Sequence, residues 1–297
     1  MSDELRIERR PLLRRPALVC AFRGWNDGGQ GASLAGSYLA RAWGAEKFAE
    51  IDPELFFDFQ AVRPHISFVE GTSRRIDWPE NGFFVAELPS AQRDVTLLLG
   101  TEPNLRWRTF CGLVSGFAQE LGVELVVTLG SLLADVPHTR PAPVTGSATD
   151  PDLIRRLGLQ PSRYEGPTGI VGALHDACRA ASIPSLSLWA AVPHYVSMTP
   201  SPRAAKALSD RLGALLEVPV DTTELSEAAE AYIQQVSEAV AADAETAAYV
   251  DELEQRVDDL IDESDLPSGD SLAAELTRFL REREQDENGG PSRGDAS

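Results

Sequence analysis

Short apolar runs alternate with stretches of helical periodicity over residues 16–216. The run 16–22 has the length of a buried strand. In 32–43, Leu34, Ala35, Tyr38, Leu39 and Ala42 recur at helical spacing. Residues 47–51 read as a short strand stopped by Asp52-Pro53, and 55–59 and 66–69 as further strands. Residues 74–79 fit an edge strand or an excursion. Residues 83–88 and 95–99 are apolar enough for strands buried on both faces. Trp107, Phe110, Val114 and Phe117 give the stripe of a helix over 105–121, with Asn104 or Thr101 as its cap.

The clearest inner strand is 123–129, ending at Gly130. A polar loop over 131–150 follows, long enough to suggest function and rich in prolines that give it shape. A short helix is expected over 150–157, a helix opening in 164–170 and running to Ala181, an inner strand at 185–190 and a helix over 202–216. This order predicts an α/β fold, a mostly parallel sheet covered by helices, with right-handed crossovers.

The pattern changes after residue 220. Leu225, Ala229, Tyr232, Val236 and Val240, then Val250, Leu253, Val257 and Leu260, form helical stripes. Asp221 or Thr222 can cap the first helix, 241–248 is a weak point where it bends or turns back, and a last helix is expected from Asp270 or Ser271 to Arg283. The expected organisation is an N-terminal extension (1–15), an α/β domain (16–220), a helical appendage (221–285) folded on the sheet domain or a neighbouring subunit, and a disordered tail (286–297).

Charge sharpens that division. The net charge is −19, and residues 221–297 hold 22 acidic against 5 basic residues. Such an acidic chain is a poor match for nucleic acid, whose phosphates need clustered Lys and Arg. It fits a solvated helical face or a surface for a basic partner. No apolar run approaches the ~20 residues that span a bilayer, and the charged N-terminus has no signal-peptide core. Cys20, Cys111 and Cys178 are widely separated and show no metal spacing, which points to a reducing cytoplasm. No membrane, metal or cofactor is expected.

In a parallel sheet the C-terminal strand ends share one edge, and ligands bind outside it. Polar motifs follow four predicted strands: Arg23 to Asp27 with Gly28 and Gly29, then Thr101-Glu102, then Asp135, His138 and Arg140, then His194-Tyr195. They are expected to converge on one cleft. Arg23, Arg140 and Arg63 would serve an anion there, while Asp27, Glu102, Asp135 and Glu165 are acids or acceptors and His138 and His194 titrate near neutrality. A structural reading stands beside this one. The histidines can bond carbonyls inside proline-rigid loops, Asp135 can pair with Arg140, and Glu165 can sit at a helix N-terminus. His175 reads as surface or core packing, and Trp25, Trp78, Trp107 and Trp189 as core or interface anchors. G-x-G-x-x-G, the P-loop, G-x-S-x-G and His-x-x-x-His are all absent, so no catalytic set is assigned.

Several ordered motifs carry a resemblance over roughly residues 16–216. They are Gly24-Trp25-Asn26-Asp27-Gly28-Gly29, Asp58-Phe59 with Arg63-Pro64, Gly100-Thr101-Glu102-Pro103 with Trp107, Leu129-Gly130 with Pro137-His138-Thr139-Arg140-Pro141, Tyr164-Glu165-Gly166-Pro167-Thr168-Gly169-Ile170, and Val192-Pro193-His194-Tyr195. Together they resemble the proteasome assembly chaperone 2 family, in its branch from high-GC Gram-positive bacteria, and the helical C-terminus is similar to that branch too. The resemblance implies a phosphorylase/hydrolase-like fold, similar to purine nucleoside phosphorylases, and assembly into homotrimers. It also implies a role like that of relatives that assemble the proteasome core. Some of those relatives dock by a C-terminal hydrophobic-Tyr-any motif. This chain ends Gly294-Asp295-Ala296-Ser297, so docking of that kind is not expected.

Two functions follow as expectations. The first is a non-enzymatic assembly or scaffold protein, self-associating and binding protein partners such as proteasome subunits. The second is a binder of nucleoside-like small molecules, or a phosphorylase/hydrolase-type enzyme, using the cleft at the strand ends.

Overall fold

In the computed structural model, residues 4–69, 73–148, 155, 160–161, 165–196 and 200–264 are described. Their centre is a four-stranded parallel block. β2 (Ala17–Arg23) pairs in parallel with β7 (Val95–Thr101) and with β8 (Leu125–Ala134), and β8 with β11 (Ser185–Pro193). Antiparallel pairing extends both sides. β6 (Asn81–Ala86), β3 (Glu46–Ile51) and β1 (Leu5–Ile7) continue beyond β7, and β9 (Val144–Ala148) beyond β11, with β10 (Gln160–Pro161) then added to β9 in parallel. The described residues thus make one nine-stranded sheet, ordered β1-β3-β6-β7-β2-β8-β11-β9-β10.

Alternation along each central strand builds two cores. In β2, Ala17, Val19 and Ala21 face one layer, and Leu18, Cys20 and Phe22 the other. The first layer holds α1 (Gly31–Ala42) and α4 (Pro202–Leu216), and the second holds α2 (Trp107–Glu120) and α3 (Ile170–Ala180). The second core is aromatic. Phe110 sits edge-on to Phe22 and Phe56, with ring centroids 6.0 and 5.5 Å apart, and such pairs add about 0.5–1.5 kcal/mol each beyond burial.

Several expectations need correction. Residues 55–59 are not a strand. Asp52 Oδ1 accepts the Glu54 N–H at 2.9 Å and starts a 3-10 turn, after which the Phe56 carbonyl accepts from Asn104 and Leu105. Asn104 does not cap α2, because its side chain accepts the Asp58 N–H at 3.1 Å. Neither does Thr101, and Arg106 enters α2 at φ 53° without a side-chain cap. β8 continues to Ala134, and β9 occupies part of the expected 131–150 loop. The 74–79 segment belongs to an excursion, a separate hairpin of β4 (His65–Val69) and β5 (Ser73–Asp77). Part of the N-terminal extension is β1, and Arg14 ties that extension to the buried carboxylate of Asp94 at 2.7 Å.

Two further helices, α5 (Thr223–Ala241) and α6 (Ala244–Ser264), lie beyond α4. Thr222 is the N-cap of α5 without a side-chain bond, Asp221 Oδ1 before it accepts the Thr223 N–H at 3.0 Å, and the buried residues of α5 are Leu225, Ala229, Tyr232, Val236 and Val240. Asp243 accepts from Glu245 N–H and the Thr246 hydroxyl and starts α6, which turns back so that Val250 packs with Tyr232, Val236 and Val240. No helix among the described residues is long and apolar enough to cross a membrane. The helices expected at 150–157 and 270–283, the tail at 286–297 and Tyr164 fall outside the described residues, apart from Arg155.

Candidate functional site

The turn after β2 is held from two sides. Gly24 has φ 143° and packs against Glu102, and a Cβ there would lie 2.8 Å from the Glu102 Cβ. Glu102 Oε2 accepts the Trp25 N–H at 3.0 Å. Its Oε1 accepts the Asn26 side-chain amide at 3.0 Å and the Ile170 N–H, the first of α3, at 2.8 Å. One carboxylate therefore joins the β2 turn, the end of β7 and the N-terminus of α3. Glu165 was expected at that helix terminus, but it lies five residues before α3 and is exposed.

Asp27 closes the other side. Its Oδ1 accepts from Ala32 N–H at 2.9 Å, Ser33 N–H at 3.0 Å and Ser131 Oγ at 3.4 Å, and the Ser131 N–H donates to the Asn26 carbonyl at 2.9 Å. Asp27 thus satisfies the free N–H groups at the start of α1. Burial raises its pKa against the pull of these donors. Gly28 and Gly29 run between it and α1, with Gly29 at φ 57°.

The candidate residues do not share one cleft. Arg23 and Arg63 line a cleft of about 490 Å3 on the α1 side, together with His65, Trp78, Glu80 and Thr101. Asp27 and Gly28 line a separate cavity of about 680 Å3, with Trp25, Ser131, His175 and Trp189. Glu102 lies in the latch between them. His175, which the sequence left to packing, places Nδ1 3.0 Å from Ser185 Oγ, and burial lowers its pKa. The signal for this second cavity was the alternation in Ser185-Leu186-Ser187-Leu188-Trp189, which puts the polar residues and Trp189 on one face.

The third group, Asp135, His138, Arg140 and His194, holds the C-terminal helices. His138 is 2 % exposed. Its backbone N–H donates to Tyr195 Oη at 2.8 Å, and its ring nitrogens lie 2.9 Å from Tyr195 Oη and 2.9 Å from Ser237 Oγ on α5. Burial first, and then the charge of Arg203, lower the His138 pKa, while burial lifts the Tyr195 phenol to about 12. Arg140 forks onto Asp258 of α6, Nε to Oδ1 at 2.9 Å and Nη2 to Oδ2 at 2.7 Å, and the Thr139 hydroxyl bonds Glu254. The hydrogen bonds from Arg140 lower the Asp258 pKa. Asp135 pairs with His194 at 3.3 Å, not with Arg140, and the His194 ring meets Tyr249 of α6 edge-on. Two of the expected anchor residues, Trp25 and Trp78, are exposed, whereas Trp107 and Trp189 are half-buried.

The hairpin carries a contiguous set of exposed apolar side chains. Ile66 and Ile76 face each other in register, with Phe68 beside them on the same face, and they are 63 %, 52 % and 65 % exposed. The Arg74 guanidinium covers the Phe68 ring at 5.7 Å.

A family model for the PAC2 family matches residues 21–240, from the end of β2 through α5. The chain belongs to the PAC2 family. It is similar to a PAC2 family protein from Streptomyces avermitilis, with 49 % identity and a TM-score of 0.74 over 79 % of this chain and 99 % of that one. It is also similar to a proteasome-assembly chaperone homologue from Mycobacterium tuberculosis, with 46 % identity and a TM-score of 0.73 over 79 % and 99 % of the two chains. An archaeal proteasome activator from Pyrococcus furiosus, at 19 % identity and a TM-score of 0.65 over 80 % and 99 %, shares the fold. Comparison with curated proteins gave no significant match. Among the described PAC2 residues no group of His, Cys, Asp or Glu is placed to hold a metal ion.

Proposed function

We propose that this PAC2 protein is a non-enzymatic assembly factor that self-associates and captures protein partners, proteasome subunits among them. The observation that carries this reading is the hairpin face of Ile66, Phe68 and Ile76, exposed and paired to no strand of the large sheet. Exposed apolar patches of this kind mark protein-binding surfaces. The acid and base candidates support it as well, since Asp27, Glu102 and His138 are committed to hydrogen bonds that hold turns and helices in place. The PAC2 relative from Mycobacterium tuberculosis, a proteasome-assembly chaperone homologue, supplies the partner class. By resemblance the self-association is trimeric, and the separated cysteines fit a reducing cytoplasm.

The test is affinity capture of the tagged full-length chain from its own cell extract, with mass spectrometry of what co-purifies. Proteasome subunits are expected with the wild type and reduced with the Phe68→Ser/Ile76→Ser double variant. No enrichment of proteasome subunits with the wild type sinks the reading. Point variants are preferable to truncation at residue 220, which would strip Ser237, Glu254 and Asp258 from the 138–140 loop and Leu225 from the core. Sedimentation of the same proteins reads the oligomer, expected as a trimer.

A further inference from the structure

Thr145, Ser147, Ser187 and Trp189 give the 680 Å3 cavity its floor. Across β8, β11 and β9 the cross-strand register sets Thr128, Ser187 and Ser147 in one row, and Gly130, Trp189 and Thr145 in the next. The opposite face of these strands is filled by Leu129, Leu186 and Leu188. Buried hydroxyls are costly unless they are bonded. Thr128 and Ser187 meet this cost with each other at 2.7 Å, while Thr145 and Ser147 are half-buried beside them. At Gly130 a Cβ would come 2.5 Å from the Trp189 ring, so glycine lets that indole lie flat on the sheet.

The walls are equally specific. Trp25 stands exposed on the β2 turn and His175 comes from α3, and no hydrogen bond to its Nε2 is found among the described residues. The described lining contains no Lys or Arg, and its one carboxylate is Asp27. Arg23 and Arg63 line the other cleft.

We propose that this cavity binds an uncharged, planar heteroaromatic compound, its faces against Trp25 and Trp189 and its polar edge on the hydroxyl rows and His175. The volume suits such a ligand, indoles supply the stacking surface, and hydroxyls can donate or accept at the ring edge. A phosphate would enter without a cation to meet it. The ligand belongs to this cavity whether or not the chain captures protein partners, so the two ideas fail separately.

The experiment uses the full-length, 15N-labelled chain. Indole N–H signals are assigned with Trp25→Phe and Trp189→Phe, and adenine, hypoxanthine and quinoline are titrated against adenosine monophosphate and inorganic phosphate. At least one ring probe is expected to shift the Trp25 and Trp189 signals saturably and leave Trp43 unmoved. Ser147→Trp and Thr145→Trp, which fill the cavity, are each expected to weaken binding about tenfold or more. Ser187→Val, which removes a hydroxyl without filling space, covers the case in which a filled variant does not fold. The proposal is overturned if no ring probe moves either signal at about 1 mM, if a phosphate-bearing probe binds more tightly than its bare ring, or if the folded variants bind as the wild type does.

Discussion

Glu102 Oε1 lies 2.8 Å from the backbone nitrogen of Ile170, joining the end of β7 to the start of α3 across 68 residues of chain. With Trp25 N–H and the Asn26 amide on the same carboxylate, three donors lose their acceptor when it goes. Glu102→Ala is expected to lose about 1–3 kcal/mol in urea denaturation. Glu102→Gln, which keeps one acceptor oxygen and turns the other into a donor, should fall between it and the wild type.

Asp27 gives a contrasting pair. Burial raises its folded-state pKa, so the folded protein holds this proton to higher pH than the unfolded chain and loses stability as pH rises through that window. At neutral pH the wild type carries this cost. Asp27→Asn keeps an acceptor for Ala32 and Ser33 without the charge, and is expected to match or exceed wild-type stability at pH 7. Asp27→Ala should lose about 1 kcal/mol as a lost helix cap. Equal losses in both, measured by denaturant titration, would show that the charge itself makes the cap.

His138 has the opposite sign of pH dependence. Its folded pKa is lowered, so its contribution is complete above the unfolded value of about 6.5 and is lost as pH falls below it. Protonation makes both ring nitrogens donors, so the Tyr195 and Ser237 hydroxyls must both accept, and Tyr195 Oη already accepts the His138 backbone N–H. Protection factors of the α5 amides, taken relative to intrinsic exchange at each pH, are expected to fall as pH drops below about 6.5. The wild-type minus His138→Gln difference isolates this residue from the many carboxylates on α5 and α6. A difference that does not change with pH would remove the link.

Gly100 tests the sheet itself. A Cβ there would sit 2.2 Å from the Glu80 carbonyl oxygen, a backbone atom that cannot rotate away, and 2.2 Å from Asn81 Oδ1. Gly100→Ala is expected to cost about 1–3 kcal/mol by overpacking. A wild-type urea midpoint would show that β6 and β7 separate more easily than their register suggests.

Much of the α/β core could be read from the chain, because runs such as 95–99 leave little choice about burial. The α5 stripe is equally plain, since five apolar residues at spacings of three and four settle one face. The expectation of a single cleft failed on strand length. No breaker comes between Gly130 and Asp135-Val136-Pro137, so β8 runs to Ala134 and carries His138 and Arg140 past the sheet edge to α5 and α6. The 55–59 run failed because periodicity counts apolar residues but not the competing bond from Asp52 that bends the chain first. β9 was missed because Val144-Thr145-Gly146-Ser147-Ala148 is small and polar, and its strand character comes from pairing with β11.

The hairpin has one further consequence. Its five cross-strand pairs are all internal, from His65 with Asp77 to Val69 with Ser73. Its exit is fixed by Trp78, whose ring meets Phe59 edge-on at 4.8 Å. Such a unit is expected to be exchangeable as a cassette. Its sequence can drift, or be grafted from another chain, between Arg63 and Trp78 while the nine-stranded framework keeps its register. The exposed apolar face and the register of the nine-stranded sheet are therefore set by separate stretches of the chain.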